Sequence, residues 1–269
     1  MFSRNNEVTL SDINKKRIDY EAKNFAKEIK AELSLNEEEP IKVFQLLEEQ
    51  GYLIFQILNL GTSGFIRILG KEKAIFLNAS EPLGRQIYTA VHEYCHILKD
   101  LSHIKKIEGL PDELKQIELD KMEYFAFKFA DYFLMSEPAL FNYLSNQKID
   151  DFSKISIKDI MSVQHHFQLS YRQTTRMLNK YGVLTEAQRN EFNKLSTREE
   201  PNLLKEKTEQ LGFDLSLISP LPESRIPERF KQSVTDNIKN GRISRKKAVY
   251  LANLLQMPSL EKLLEAGNS

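Results

Sequence analysis

The stretch IYTAVHEYCHILKD, Ile87 to Asp100, decides how the rest of the chain is read. His92 and His96 are four apart, with Glu93 beside the first. On an α-helix, positions i and i+4 lie one above the other, so both imidazoles can meet a single ion. Glu93 sits one position round, next to an open coordination position, where a carboxylate can take a proton from a metal-bound water. This is the spacing of a metalloprotease helix. Ile87, Ala90, Val91, Tyr94 and Leu98 form an apolar side for burial. The same spacing also occurs on ordinary amphipathic helices, so the reading depends on what else the chain supplies.

Two ligands hold zinc poorly; catalytic sites use three protein ligands and an open position. His103 is one place too far for the elongated form of the motif, and Lys99 and Ser102 stand at its other positions. The better candidate lies downstream in MEYFAFKFADYFLM, Met122 to Met135. Ala126 and Ala130 fall on the helical face of Glu123 and would let this helix pack closely beside the histidines. Phe125, Phe129 and Phe133 fill the core around it. Asp120, one turn earlier, is the runner-up ligand or a hydrogen-bond partner for a histidine. Cys95 lies about 100° round the helix from His96 and reads as a buried apolar thiol.

Working outward, three short runs rich in β-branched and aromatic residues precede the motif: YLIFQIL, GFIRIL and KAIFLN. They predict a small three-stranded sheet. Ser11 to Leu33 predicts a helix with Ser11 as its cap, and PIKVFQLLEEQG predicts a second, between Pro40 and Gly51. After Asp100 the chain reads as a loop to about Ile117. A long helix then stops before Pro138, and the remainder is helical. The fold class is α+β: a zincin-like catalytic domain with a small three-stranded sheet and the HExxH helix, followed by mostly helical accessory modules. The expected domains are 1–145, a helical segment at 146–200 and a C-terminal helical module at 201–269, with a linker in KLSTREEPN near 194–202.

Composition narrows the function class. The chain of 269 residues is 41% hydrophobic and 28% charged, as a soluble domain with a real core requires. Net charge is zero, so no global field draws the chain to nucleic acid or an anionic membrane. One cysteine excludes an intrachain disulfide framework. The polar N-terminus has no apolar core for a signal peptide, and no apolar run reaches the length of a membrane span. The expected location is cytoplasmic.

The paired motifs resemble those of the ImmA/IrrE metallopeptidases, in which HExxH is joined to a downstream helix of the type ExxANxFAxxLLMP. Glu123, Ala126, Phe129-Ala130 and Phe133-Leu134-Met135 stand in matching places. Phe127 stands where the family usually has Asn or Asp, and Ser136 where it usually has Pro. AIFLN and Gly64 also look like that family. The resemblance implies that His92, His96 and Glu123 bind one Zn2+ and that Glu93 is the general base. It further implies an intracellular endopeptidase whose protein substrate is a helix-turn-helix repressor, cut to derepress mobile-element or stress genes.

IMSVQHHFQLSYRQTTRML, Ile160 to Leu178, has the outline of a helix-turn-helix, with Ser170 as cap and Arg172, Gln173 and Arg176 on the second helix. The turn lacks glycine and the segment is not notably basic, so direct DNA contact is the lesser reading and helix packing the greater. Arg242, Arg245, Lys246 and Lys247 cluster near a C-terminal helix start, where Ser244 is the expected cap. The alternative for the whole chain is a non-catalytic, zinc-containing regulator that binds DNA or a repressor through its helical half. Such a site would be closed by a fourth protein ligand, for which Cys95 and Asp120 are the candidates.

Overall fold

The computed structural model describes residues 10–36, 39–101, 107–197 and 202–254. Its contacts group the chain into two units, each assembled from separate stretches: 1–41 with 91–194, and 42–90 with 195–269. The division at 194/195 falls at the start of the expected linker. The helices on either side of residue 146 belong to the same unit.

The first unit begins with α1, Asp12–Glu32, whose cap Ser11 accepts from the Asn14 backbone N–H. Ile18, Ala22, Ala26 and Ile29 are buried along one stripe, as a helical period demands. In the second unit, α2 (Val43–Glu49) leads into β1 (Leu53–Ile57), β2 (Gly64–Leu69) and β3 (Glu72–Asn78). The sheet order is β1-β3-β2, with β1 parallel and β2 antiparallel to β3. Ile54, Phe55, Ile75 and Leu77 are buried within it. Next comes α3, Leu83–Cys95, the motif helix. Its Thr89 approaches the sheet so closely that a Cβ on Gly64 would lie 2.6 Å from Thr89 Cγ2 and 2.9 Å from the Phe76 carbonyl oxygen. Only glycine fits there without a shift.

Beyond α3 the helix widens into a π turn, His96–Asp100. Then α4 runs Asp112–Leu134, starting five residues before the expected Ile117, because Pro111 precedes its first turn and Asp112 and Glu113 favour a helix N-terminus. It packs on α1 through Phe25, whose ring lies 5.8 Å from Phe125 and 5.5 Å from Phe129. The expectation that α4's aromatic face fills the core is met, and much of that core is α1. Helix α5, Glu137–Asn146, is capped by Ser136, whose side chain accepts from the Ala139 N–H. The departure from proline at 136 therefore supplies a cap.

Helices α6 (Ile157–Phe167) and α7 (Tyr171–Lys180) form the anticipated pair, with Ser170 capping the second. Gln168 takes the left-handed conformation, φ 54°, that the turn needs without a glycine. The first unit ends with α8, Glu186–Asn193.

In the second unit, α9 (Leu203–Gln210) is followed by α10 (Glu228–Lys239) and α11 (Arg245–Leu254). Ser244 caps α11 by accepting from the Lys247 N–H. Residues after 201, set apart by sequence as a C-terminal module, supply part of the sheet's own core. Ile226 and Val234 are buried with Phe55, Ile57 and Ala74. Gln56 and Arg225 exchange backbone hydrogen bonds of 2.9 and 2.8 Å beside β1. No helix among the described residues is long and apolar enough to cross a membrane.

Candidate metal centre

All parts of the centre lie in the first unit. The last turn of α3 presents His92, and the π turn begins at His96. Their rings stand 4.8 Å apart, nearly perpendicular, with the two Nε2 atoms 3.1 Å from each other. Glu123 comes from the middle of α4. One of its oxygens lies 3.2 Å from His92 Nε2 and the other 3.5 Å from His96 Nε2. One ligand atom from each residue falls within 4.8 Å of the rest, and this is the one His/Cys/Asp/Glu group among the described residues that could hold an ion.

These separations test the fit of a metal. A tetrahedral zinc with ligand bonds of about 2.0–2.1 Å sets neighbouring ligand atoms about 3.3 Å apart. The Nε2–Nε2 spacing of 3.1 Å and the 3.2 Å from His92 Nε2 to one Glu123 oxygen lie close to that value, and two imidazoles with one carboxylate are a donor set zinc accepts. The residues fit.

Asp100 is the residue that the motif reading missed. Its side chain, 3% exposed, sits 2.6 Å from His96 Nδ1. A buried carboxylate there accepts the Nδ1 hydrogen and leaves the His96 Nε2 lone pair facing His92 and Glu123. The signal was in the sequence: an acid four residues after the second histidine, on the same helical run. The π turn lies across that contact, and such turns gather at functional sites.

The charges are coupled. Burial opposes a cation on His96, but the hydrogen bond to Asp100 and the charges of Glu123, Asp100 and Glu93 raise its pKa above the ordinary histidine value. The hydrogen bond with His92 is the main cause of a lowered Glu123 pKa. Glu93 goes the other way. Burial lifts its pKa above the usual carboxylate range, and Glu123 adds to this while the histidines oppose it. A carboxyl raised toward neutrality can both accept and return a proton.

The remaining candidates fall outside the cluster. Asp120 accepts from Gln116 Nε2 at 2.8 Å. Cys95 is fully buried, and burial drives its thiol pKa far up, so it stays an apolar thiol. Tyr94 is buried and packs on Phe133, as its place on the apolar side of the motif helix predicts. His103 lies outside the described residues.

The helix-turn-helix residues have another use. On α7, Gln173 Nε2 donates to Asp131 Oδ1 at 2.5 Å, and the Arg176 guanidinium pairs with the same oxygen. Arg176 also lies 4.7 Å over the Phe127 ring, so the departure from Asn or Asp at 127 gives that guanidinium an aromatic seat. Of the three side chains proposed to read DNA, two are turned onto α4 and Arg172 alone is exposed.

Residues 48–179 match the peptidase family M78 model, described as the IrrE N-terminal-like domain. The match takes in the sheet, the motif helix, α4 and the α6–α7 pair. Neither a curated protein nor a solved structure matches the chain.

Proposed function

Since this chain carries, over residues 48–179, a domain of the ImmA/IrrE metallopeptidase family, we propose that it is a zinc-dependent endopeptidase with His92, His96 and Glu123 as ligands and Glu93 as general base. The observation that carries this reading is the convergence of two imidazole nitrogens and the Glu123 carboxylate, with one ligand atom from each within 4.8 Å of the others, next to a carboxyl whose pKa is raised by burial.

When bound, zinc supplies Lewis-acid polarisation of the scissile carbonyl and acidifies the attacking water. The chain's own groups do the rest. Asp100 fixes the His96 tautomer and ring plane, so that Nε2 needs no rearrangement to act as a ligand. Glu123 reaches the cluster from a second helix, so two elements must be in register before it forms. Glu93 takes the proton of the attacking water on its carboxylate and passes it to the leaving amine nitrogen.

The proposed substrate is a helix-turn-helix repressor, cut in the cytoplasm to derepress mobile-element or stress genes. Its support is the family resemblance of the paired motifs. The alternative of a structural zinc in a regulator is less well supported, because the two residues that could close the site, Cys95 and Asp120, are a buried thiol and a side chain held by Gln116.

The test compares new protein N-termini in a host expressing the native chain or Glu93→Gln. We expect a cut with the native chain only, slowed by roughly 10²–10⁴-fold in the variant, with equal zinc per chain in both. A cut made equally by Glu93→Gln would sink the mechanism, and zinc lost along with activity would point to a structural role for Glu93.

A further inference from the structure

The chain has no net charge, yet one cleft in the first unit is strongly positive. It has a volume of about 450 Å³ and is walled by α1, α4 and α7. Five cations line it: Lys15 and Lys16 from α1, Lys128 from α4, and Arg176 and Lys180 from α7. Against them stand two carboxylates on the wall, Asp12 and Asp19, and the buried Asp131 that pairs with Arg176, leaving an excess of two positive charges.

Much of the negative charge is already engaged. Asp19 accepts from Tyr132 Oη at 2.5 Å and from Lys180 Nζ at 3.2 Å, with Lys128 Nζ at 3.4 Å. Arg176 is positioned by Asp131 and Phe127. Lys15 and Lys16, one turn before Asp19, form no ion pair among the described residues. Burial above all, and then the ammonium of Lys128, press the Lys180 pKa down, against Asp19 and Asp131, which raise it.

We propose that this cleft binds a small anion carrying phosphate groups. Several donors approaching from three helices suit a tetrahedral, multiply charged oxyanion better than a planar carboxylate with two oxygens, and a diphosphate carries enough charge to meet the cations left without a carboxylate. The volume lies within the ordinary range for small-molecule sites of about 300–1,000 Å³. A second cavity, of about 470 Å³ beside the α5 N-terminus, is lined by three lysines, and one of them, Lys23, is paired with Glu137; the cleft is the more cationic of the two. Tyr124, on the cleft wall, follows Glu123 in α4, so an occupant would touch the helix that supplies the third candidate ligand. Binding itself does not depend on the metal reading.

The test is calorimetric titration of the full chain with sodium pyrophosphate at low ionic strength. We expect saturable binding that weakens as salt is raised. It should weaken about tenfold or more in Lys15→Gln/Lys16→Gln, about 1.4 kcal/mol, and be unchanged in Lys158→Gln, an exposed lysine of the same unit on α6. Neither Lys15 nor Lys16 belongs to the Asp19 network, so the double variant should keep its circular dichroism. If it does not, Lys16→Glu alone reads the same effect. No saturation at millimolar pyrophosphate would overturn the proposal, as would equal affinity in the double variant. Binding of a single-stranded oligonucleotide without binding of pyrophosphate would overturn it too, assigning the cleft to a nucleic acid.

Discussion

The candidate metal centre and the α6–α7 pair both draw polar side chains onto α4, and they satisfy them in opposite ways. At Glu123 the converging atoms are two imidazole nitrogens and a carboxylate, three groups that all offer lone pairs. At Asp131 the converging atoms are the donors of Gln173 and Arg176 on one buried carboxylate oxygen. Donors meeting an acceptor need nothing from outside. Acceptors meeting acceptors need a cation, and the charge of Glu123 adds to the Asp100 hydrogen bond in raising the His96 pKa. The direction of the hydrogen bonds, more than the motif, distinguishes a ligand site from a structural contact.

Asp131→Ala tests the structural half most severely. It leaves Arg176 beside a buried space, and breaking such a pair costs about 3 kcal/mol, read as a lower urea midpoint. Zinc per chain at saturating metal should stay at the native level; a fall in stoichiometry would merge the two regions into one site. Asp100→Asn tests the other half. The amide still accepts from His96 Nδ1 but loses its charge, so zinc affinity should fall about tenfold, measured by competition with a chromophoric chelator. Unchanged affinity would reduce Asp100 to packing.

Asp19 lies between the two cases, an acid facing three donors in the positive cleft. Burial would raise its pKa, but the Tyr132 hydrogen bond and the two lysines outweigh this and hold it below the usual value. A carboxylate favoured in the folded state stabilises above the ordinary pKa of 3.8 and loses that contribution as pH falls through its lowered folded value. Asp19→Asn should therefore cost about 1 kcal/mol at neutral pH. The gap from the native chain should start to narrow below about pH 4 and close only as pH falls through the lowered folded value, followed by urea unfolding across pH. A gap that persists there would show that the loss is steric.

The sheet, the motif helix and the three converging side chains were legible because each rests on local periodicity: alternation for the strands, i and i+4 for the histidines, alanines on the glutamate's face. Asp100 stands at the right distance in the sequence, four residues after His96, but an acid at i+4 on a helix is as often a solvated surface group as a histidine's partner, and only burial distinguishes the two. Packing of the α6–α7 pair was the greater reading, but the partner of Gln173 and Arg176 was not legible, because a polar helix face does not say what it meets. The signal was Asp131, an acid inside the apolar run FADYF, which burial obliges to find a cation. The packing of Ile226 and Val234 on the sheet was illegible, because contacts between stretches so distant in sequence leave no local period.

Helix α4 carries both ends of the opening comparison on one rod. Glu123 and Asp131 are about 12 Å apart along its axis, and a helix that rolls at one end rolls at the other. A carboxylate on a helix swings on a radius of about 5–6 Å, so a roll of about 10° displaces it by about 1 Å, several times the ±0.2 Å within which metal bonds are held. The ion pair at Asp131 thus works as a set-screw for the far end of the shaft. It fixes an angle, and its loss should appear as a softer grip on zinc by a centre that keeps all of its ligands.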